Sequence, residues 1–466
     1  MEPRPGPWLR EELSSLGRLA LPIALAQAGQ SLMGLVDTAV VGRAGAVPLA
    51  ATALGNSLFF AVAVVGMGLM MGLDPLVSQA FGAGERVRAR RLLWQGVWLA
   101  FAVGALLALP MAFLPFLLEP AGIEPEVAAG AARYLWLRLP GLPFLLLFMA
   151  GRSYLQSAGR ARPILAAAVV ANAANFLLDL LLVFGGEALP SWTGPLRLLP
   201  AMGAAGAALA TTLCTALQAA ILALAVSAEP LDAPAPGLRR PVPADLLGAA
   251  RLGLPVGLHM AAEVGVFALV GVLAGRLGRV PLAAHQIALT NGSFSYNAAV
   301  GIGNAGSVRV GWAVGARDTP RARRSGLAAF LAGAGFMSVW ALLFLFLPWP
   351  LARAMTDQPE VLAAAVPLLR VAAVFQISDG VQGVGAGVLR GAGDTRFTFA
   401  VNVLGHYGVG LPVAIALGFG LGGGITGLWW GLCAGLTAVA AGLFGRFLRI
   451  SSRDIAPVRA RAEGVP

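Results

Sequence analysis

The run LLWQGVWLAFAVGALLALPMAFLPFLL, Leu92 to Leu118, contains no charged side chain. About 20 apolar residues in a helix cross the hydrocarbon of a bilayer, so this run is long enough to span one. Ser325 to Ala352 repeats the pattern, and Phe397 to Gly445 is also free of Arg, Asp and Glu. The last run is too long for one span, and Gly418, Gly420 and Gly422 to Gly424 divide it in two. Carried through the chain, the same reading predicts spans near 16–40, 50–74, 92–117, 131–156, 163–185 and 203–226. A second set follows near 247–274, 282–314, 325–347, 361–390, 397–418 and 424–446. The expected fold is an all-α polytopic membrane protein with twelve transmembrane helices.

Composition agrees. Charged residues make up 12% of the 466 and hydrophobic residues 58%, whereas a water-facing globular surface needs about 25% charged. The net charge of +11 would suit nucleic acid if the basic residues clustered on one polar face. Here the Arg residues fall in short bursts between apolar runs, so no nucleic-acid partner is expected. The chain contains no Lys, which excludes a P-loop and Schiff-base chemistry. Cys214 and Cys433 each sit alone in an apolar run and read as buried spectators. Neither an enzymatic role nor an organic cofactor is expected.

Arg86, Arg88, Arg90 and Arg91 lie between spans 2 and 3, Arg160 and Arg162 after span 4, Arg239 and Arg240 after span 6, and Arg321, Arg323 and Arg324 after span 8. The loop between spans 3 and 4 carries Glu119, Glu124 and Glu126 instead. Positive loops stay inside, so both termini are expected in the cytoplasm and the protein in the plasma (inner) membrane as a multi-pass component. Residues 1–15 read as a short interfacial segment with Trp8, Leu9 and Leu13 on one face.

The two halves repeat. Leu21-Pro22 aligns with Leu254-Pro255 at an offset of 233, Val47-Pro48-Leu49-Ala50-Ala51 with Val280-Pro281-Leu282-Ala283-Ala284, and Arg88-Ala89-Arg90-Arg91 with Arg321-Ala322-Arg323-Arg324. Each repeat holds an even number of spans, so both share one orientation, as in alternating-access transporters. The expected organisation is an N-lobe at 16–226, a proline-rich linker at 227–245, a C-lobe at 246–448 and a cytoplasmic tail at 449–466.

Acids inside a membrane are costly, about 2.5–3.5 kcal/mol on insertion scales, and mark function. Four stand inside apolar runs: Asp37, Asp179, Glu263 and Asp379. Gln27, Gln30 and Asp37 share a helical face, as do Asn175 and Asp179 one turn apart. An N-lobe cation or proton site is therefore expected from Asp37, Asp179, Asn175 and Gln30. A C-lobe site is expected from Glu263, at the repeat position of Gln30, and Asp379. Two carboxylates in a low-dielectric site bind a proton or a cation, so Na+ or H+ is the expected coupling ion. Gln27, Tyr296 and Asn297 are candidate cleft-lining residues. Asp74, beside Pro75, reads as structural; His285 and His406 read as packed.

These residues resemble the multidrug and toxic compound extrusion (MATE) family over nearly the whole chain. The resemblance rests on Leu21-Pro22 through Gln30 to Asp37-Thr38, and on Ser78-Gln79-Ala80-Phe81-Gly82-Ala83-Gly84. In the second half it rests on Pro255 with Glu263, Ala284-His285-Gln286, Val308-Arg309-Val310-Gly311, Phe375-Gln376 with Asp379, and Leu389-Arg390-Gly391 with Gly393-Asp394-Thr395. It implies two parallel six-helix bundles in a V, exporting cationic or amphipathic drugs against inward Na+ or H+, acting as a monomer in contact with membrane lipid. Glu263 and Asp379 match the acids of the NorM-like branch, Asp37 matches the acid of span 1, and Asn175 with Asp179 resembles a DinF-like pair. Phe375 stands where some relatives carry Tyr. The competing reading within the superfamily is a lipid-linked oligosaccharide flippase, which lines its cleft with positive charge; here Arg is expected to stay in loops. A non-transporting scaffold would gain nothing from buried acids.

Overall fold

The computed structural model describes residues 6–187, 191–230 and 237–458, so Glu2, Arg4, Pro234, Pro236 and the tail beyond Val458 lie outside it. Sixteen α-helices follow in order. They are α1 Gly6–Gly42, α2 Ala46–Met70, α3 Leu73–Gly82, α4 Arg86–Phe113, α5 Pro125–Arg138, α6 Gly141–Ser157, α7 Arg162–Phe184 and α8 Ala204–Ser227. The second half has α9 Pro243–Leu277, α10 Arg279–Gly315, α11 Thr319–Phe346, α12 Pro348–Arg353, α13 Pro359–Gly391, α14 Thr395–Val403, α15 Leu411–Ile415 and α16 Gly424–Ser451. A wider π turn at Leu404–Gly410 joins α14 to α15, and a second at Ala416–Gly420 continues the same rod. No strand occurs among the described residues.

Ten of these rods are long and apolar enough to cross a membrane, and α5 with α6, bent by 46°, makes an eleventh. The bend sits at Leu139–Pro140, where a proline cannot donate to the helical ladder. The twelfth is α10, whose 37 residues are ample in length but too polar to pass on hydropathy. Its later turns are instead enclosed by their neighbours, with 0% exposure at Ser295 and 3% at Asn304. The repeat reappears in the helix bounds. Ala46–Gly82, broken at Met71–Gly72, and the unbroken Arg279–Gly315 differ by 233 at both ends, and Arg86 and Thr319 begin α4 and α11 at the same offset.

By packing the chain forms two compact units, one of residues 1–27, 74–85 and 258–466 and the other of 28–73 and 86–257. Within each unit, glycines allow helix backbones to approach closely. In the first unit the start of α1 packs on α10, where Ala24 fills the space beside Gly301. In the second, the start of α9 lies on α2 through Gly68 against Gly257 and Gly72 against Gly253. From Gly6 onward the expected interfacial segment is continuous with the first span in α1. Its first turns are fastened by Glu12, which pairs with Arg309 and accepts from Ser325 Oγ at 3.0 Å.

Within the unit that holds α10 and α13, these two helices run parallel, since Ser295 meets Gln376, Gly303 meets Gly387 and Ser307 meets Gly391. Gly383, Gly387 and Gly391 repeat every fourth residue on one ridge of α13. A Cβ on Gly387 would collide with the Gly303 carbonyl oxygen, and one on Gly391 with that of Ser307. Apolar burial cannot drive helices together in lipid, so close backbone packing between small residues does it instead.

Candidate functional site: two buried acidic clusters

The N-terminal cluster forms where α1, α7, α8 and α5 meet. Gly29 on α1 leaves room for α7, with Asn172 Nδ2 and the Ala168 Cβ against it. The two helices continue in the same direction, and two turns further on Asp37 and Asp179 come within electrostatic reach of each other. Thr211 on α8 donates to Asp37 Oδ2 at 3.0 Å. Neither oxygen of Asp179, nor Oδ1 of Asp37, nor either polar atom of Asn175 has a hydrogen-bond partner, although Asp179 and Asn175 are both 0% exposed. Gln30, expected beside them, is only half-buried. Seven residues of helix rise about 10 Å, and among the described residues no hydrogen bond joins Gln30 to either acid. Gln27 belongs to the other unit.

Three members of this cluster have no expectation behind them: Thr211, Tyr134 and Arg138. Tyr134 and Arg138, one turn apart on α5, lie in electrostatic reach of each other and of Asp37, and the Tyr134 hydroxyl donates to Asn56 Oδ1 at 3.4 Å. The Arg138 guanidinium stacks 4.0 Å over the Phe59 ring, and its Nε and Nη1 find no hydrogen-bond partner. The expectation that Arg stays in loops is therefore corrected. Arg138 falls inside a span and is buried there, stabilised by an aromatic face and nearby carboxylates. Its position was visible, since 131–156 was the predicted fourth span.

The second cluster gathers on α9, α10, α13 and the π turn after α14. Glu263 Oε2 accepts from Gln382 Nε2 at 3.1 Å and lies 3.2 Å from His259 Nε2, one turn earlier on α9. Tyr296 lies in electrostatic reach of Glu263 and Asp379. Asp379, 4% exposed, lies in electrostatic reach of Glu263. Helices α9 and α13 run antiparallel here, since Phe267, one turn after Glu263, stacks at 6.2 Å on Phe375, one turn before Asp379. Phe375 also meets Trp429 at 5.5 Å, so the position serves packing. His285 accepts from Trp429 Nε1 at 3.1 Å. Asn297 donates to Ser293 O on its own helix at 2.9 Å.

Asp74 is buried and ion-paired, its Oδ2 lying 3.0 Å from Arg390 Nε. Both cysteines are buried and free. Among the described residues no group of three or more His, Cys, Asp or Glu is arranged to hold a metal ion.

The MatE family model matches residues 22–181 and 255–416, one stretch in each repeat. The chain is 35% identical over 440 residues to the probable multidrug resistance protein NorM of Pseudomonas putida, covering 93% of each. It is 34% identical over 467 residues to the multidrug resistance protein NorM of Burkholderia vietnamiensis, covering 97% of each. Its fold is that of the Vibrio cholerae MATE transporter VcmN in the bent form, with a TM-score of 0.83 and 20% identity over 96% of this chain and 98% of that one. Two repeats matched at family level, relatives spanning nearly the full length and a shared fold lead to one conclusion: this chain belongs to the MatE family of transporters.

Proposed function

We propose that the protein is a secondary active multidrug efflux antiporter. It exports cationic and amphipathic small molecules in exchange for Na+ or H+ taken up at the buried carboxylates. One observation carries this reading: Asp179, fully enclosed, faces Asp37 with both its oxygens unpartnered. Carboxylates so placed take up a cation or share a proton. A second acidic cluster on the other repeat, at Glu263 and Asp379, gives the substrate cation and the coupling ion opposite effects on the same charges. The names of the NorM relatives support the drug class, and the flippase reading finds no support in them. The basic loops favour both termini in the cytoplasm and placement in the inner membrane. The lobes at 16–226 and 246–448 are read as the two moving bodies, and a monomer suffices because each repeat carries its own acids.

A ligand shifts a two-state carrier only by its differential affinity for the two states. Asp37 and Asp179 sit on separate helices, so any change in the spacing of α1 and α7 changes their affinity for an ion.

The test is ethidium efflux from proteoliposomes with Na+ and H+ gradients imposed separately. Gradient-driven efflux that is lost in Glu263→Gln and in Asp379→Asn is the expected result. Equal drug sensitivity of cells with and without the protein across a broad panel would overturn the reading, as would movement of a fluorescent lipid-linked sugar without any drug.

A further inference from the structure

The connection between the two repeats is fastened to α4 at both of its described ends. Arg90 Nη1 and Nη2 donate to the carbonyls of Val226 and Glu229 at 2.8 and 2.7 Å, fixing the end of α8. The described chain resumes at Gly237, whose φ of +81° suits glycine, and turns through a bond from Arg240 N–H to the Gly237 carbonyl at 3.0 Å. Trp98 Nε1 then donates to the Arg239 carbonyl at 2.8 Å. Gln95, fully buried, donates to the Arg240 carbonyl at 2.9 Å and accepts from Val242 N–H at 2.7 Å. The same amide nitrogen lies 3.5 Å from the Arg91 carbonyl, so the two backbones are adjacent here. Arg91, Trp94, Gln95 and Trp98 share one face of α4 by their spacing.

With its backbone pinned, this strap presents its side chains outward. Arg239 and Arg240 are exposed, and so is Arg91. The Arg239 guanidinium lies over the Trp94 ring, 4.8 Å from its centroid. Stacking occupies the face of a guanidinium and leaves free the N–H fork at its edge, the part that matches a phosphate. None of the three guanidiniums has an acidic partner among the described residues. Along α4 the same side continues as exposed apolar surface through Trp98, Phe101, Leu109 and Phe113. Trp and Arg at the end of a charge-free span belong at headgroup level, and the apolar stripe beyond them at the level of acyl chains.

Basic residues at a span end are ordinary, and the repeat separates the ordinary case from this one. At the offset of 233, Arg91 corresponds to Arg324, whereas Trp94, Gln95 and Trp98 correspond to Leu327, Ala328 and Leu331. The second repeat keeps the charge and has neither indole nor amide to order a strap.

We propose that Arg91, Arg239 and Arg240, ordered on Trp94 and Trp98, bind the phosphodiester headgroup of an anionic glycerophospholipid in the cytoplasmic leaflet, with its acyl chains along the α4 stripe. The proposal is independent of the efflux reading. Arg239 and Arg240 belong to the connection and Arg91 to α4, so one headgroup held by all three clamps the connection to the first repeat. The apolar stripe commits the site to a lipid and not to a free phosphate ion.

The test titrates dioleoyl-phosphatidylglycerol into the detergent-solubilised full-length protein, with dioleoyl-phosphatidylcholine in parallel, and counts retained lipid by native mass spectrometry. The wild type should retain one phosphatidylglycerol more tightly than any phosphatidylcholine. Arg239→Gln combined with Arg240→Gln should weaken that binding by about fivefold for each Arg removed. Both substitutions leave the carbonyls held by Trp98 and Gln95 in place, so the variant should stay monodisperse on size exclusion. Arg239→Lys keeps the charge without the fork, and Trp94→Leu keeps every charge without the stacking ring; each should also lose affinity. Arg323→Gln combined with Arg324→Gln makes the same charge change in the second repeat and should leave the binding unchanged. Unchanged binding in the Arg239 and Arg240 variant, an equal loss in the control pair, or equal affinity for the two lipids would overturn the proposal. Displacement of the lipid by soluble glycerol phosphate would show a site for free phosphate and overturn it as well.

Discussion

Replacing Arg390 by Met should destabilise the protein severely, and removing its partner as well should restore most of the loss. Arg390 Nε lies 3.0 Å from Asp74 Oδ2, and its Nη2 donates to Asn304 Oδ1 at 2.6 Å. The two side chains of the ion pair are 7% and 9% exposed. Arg390→Met leaves the Asp74 carboxylate buried without its cation, which costs about 3–5 kcal/mol, two orders of magnitude or more in the folding equilibrium. Asp74→Leu leaves the guanidinium with Asn304 alone and should cost a similar amount. The double variant removes both charges, and apolar groups of similar volume in place of a buried pair are about neutral. The singles should thus be strongly non-additive. Arg446 and Asp394, 2.7 Å apart but with Arg446 33% exposed, provide the control, and Arg446→Met should cost under about 1 kcal/mol. The assay is the fraction of detergent-solubilised protein still monodisperse after a temperature series. A double variant as unstable as the two singles combined would show that the pair is not what holds this contact.

Asp37→Asn and Asp179→Asn should each damage efflux, and the double variant should be little worse than either, because the acids share one ion; losses that multiply would mean independent action. Gly387→Ala should lower the folded yield by a cost of about 1–3 kcal/mol, since its methyl meets the Gly303 carbonyl oxygen. A wild-type yield on size exclusion would count against backbone packing as the link between α10 and α13. Reporter fusions after Leu118 and Trp349 should read external and those after Arg91 and Arg324 internal; the reverse pattern would refute the orientation.

Spans were legible because charge-free runs have one physical use, and the acids were legible because lipid makes them expensive. Thr211 and Tyr134 left no such mark. A hydroxyl in a helix can satisfy itself on its own backbone, and Thr211 Oγ1 lies 2.8 Å from Ala207 O as well as 3.0 Å from Asp37 Oδ2. His259 could have been found, since it stands four residues before Glu263 and such pairs meet on a helix. Arg138 could have been found too, by asking why a basic residue falls within a predicted span. Pro140 announced the bend between α5 and α6. The break at Gly72 did not announce itself, because it reflects the approach of Gly253 from a distant helix, which no local pattern encodes. Gln30 shares a helical face with Asp37, but seven residues of rise, about 10 Å, lie between them.

The polarity of α10 has a consequence for biogenesis. Presented to the insertion machinery alone, this helix would offer lipid His285, Asn291, Asn297, Asn304 and Arg309 on one segment, a poor candidate for autonomous partitioning. Asn304 meets Arg390 of α13 and His285 meets Trp429 of α16, and both partners are synthesised later. The segment must therefore wait, held at the translocon or against earlier helices, until its shelter arrives. The second repeat then becomes membrane-stable as a set, and a ribosome stalled between Gly315 and Pro359 would leave a chain whose most polar helix has not yet found its solvent.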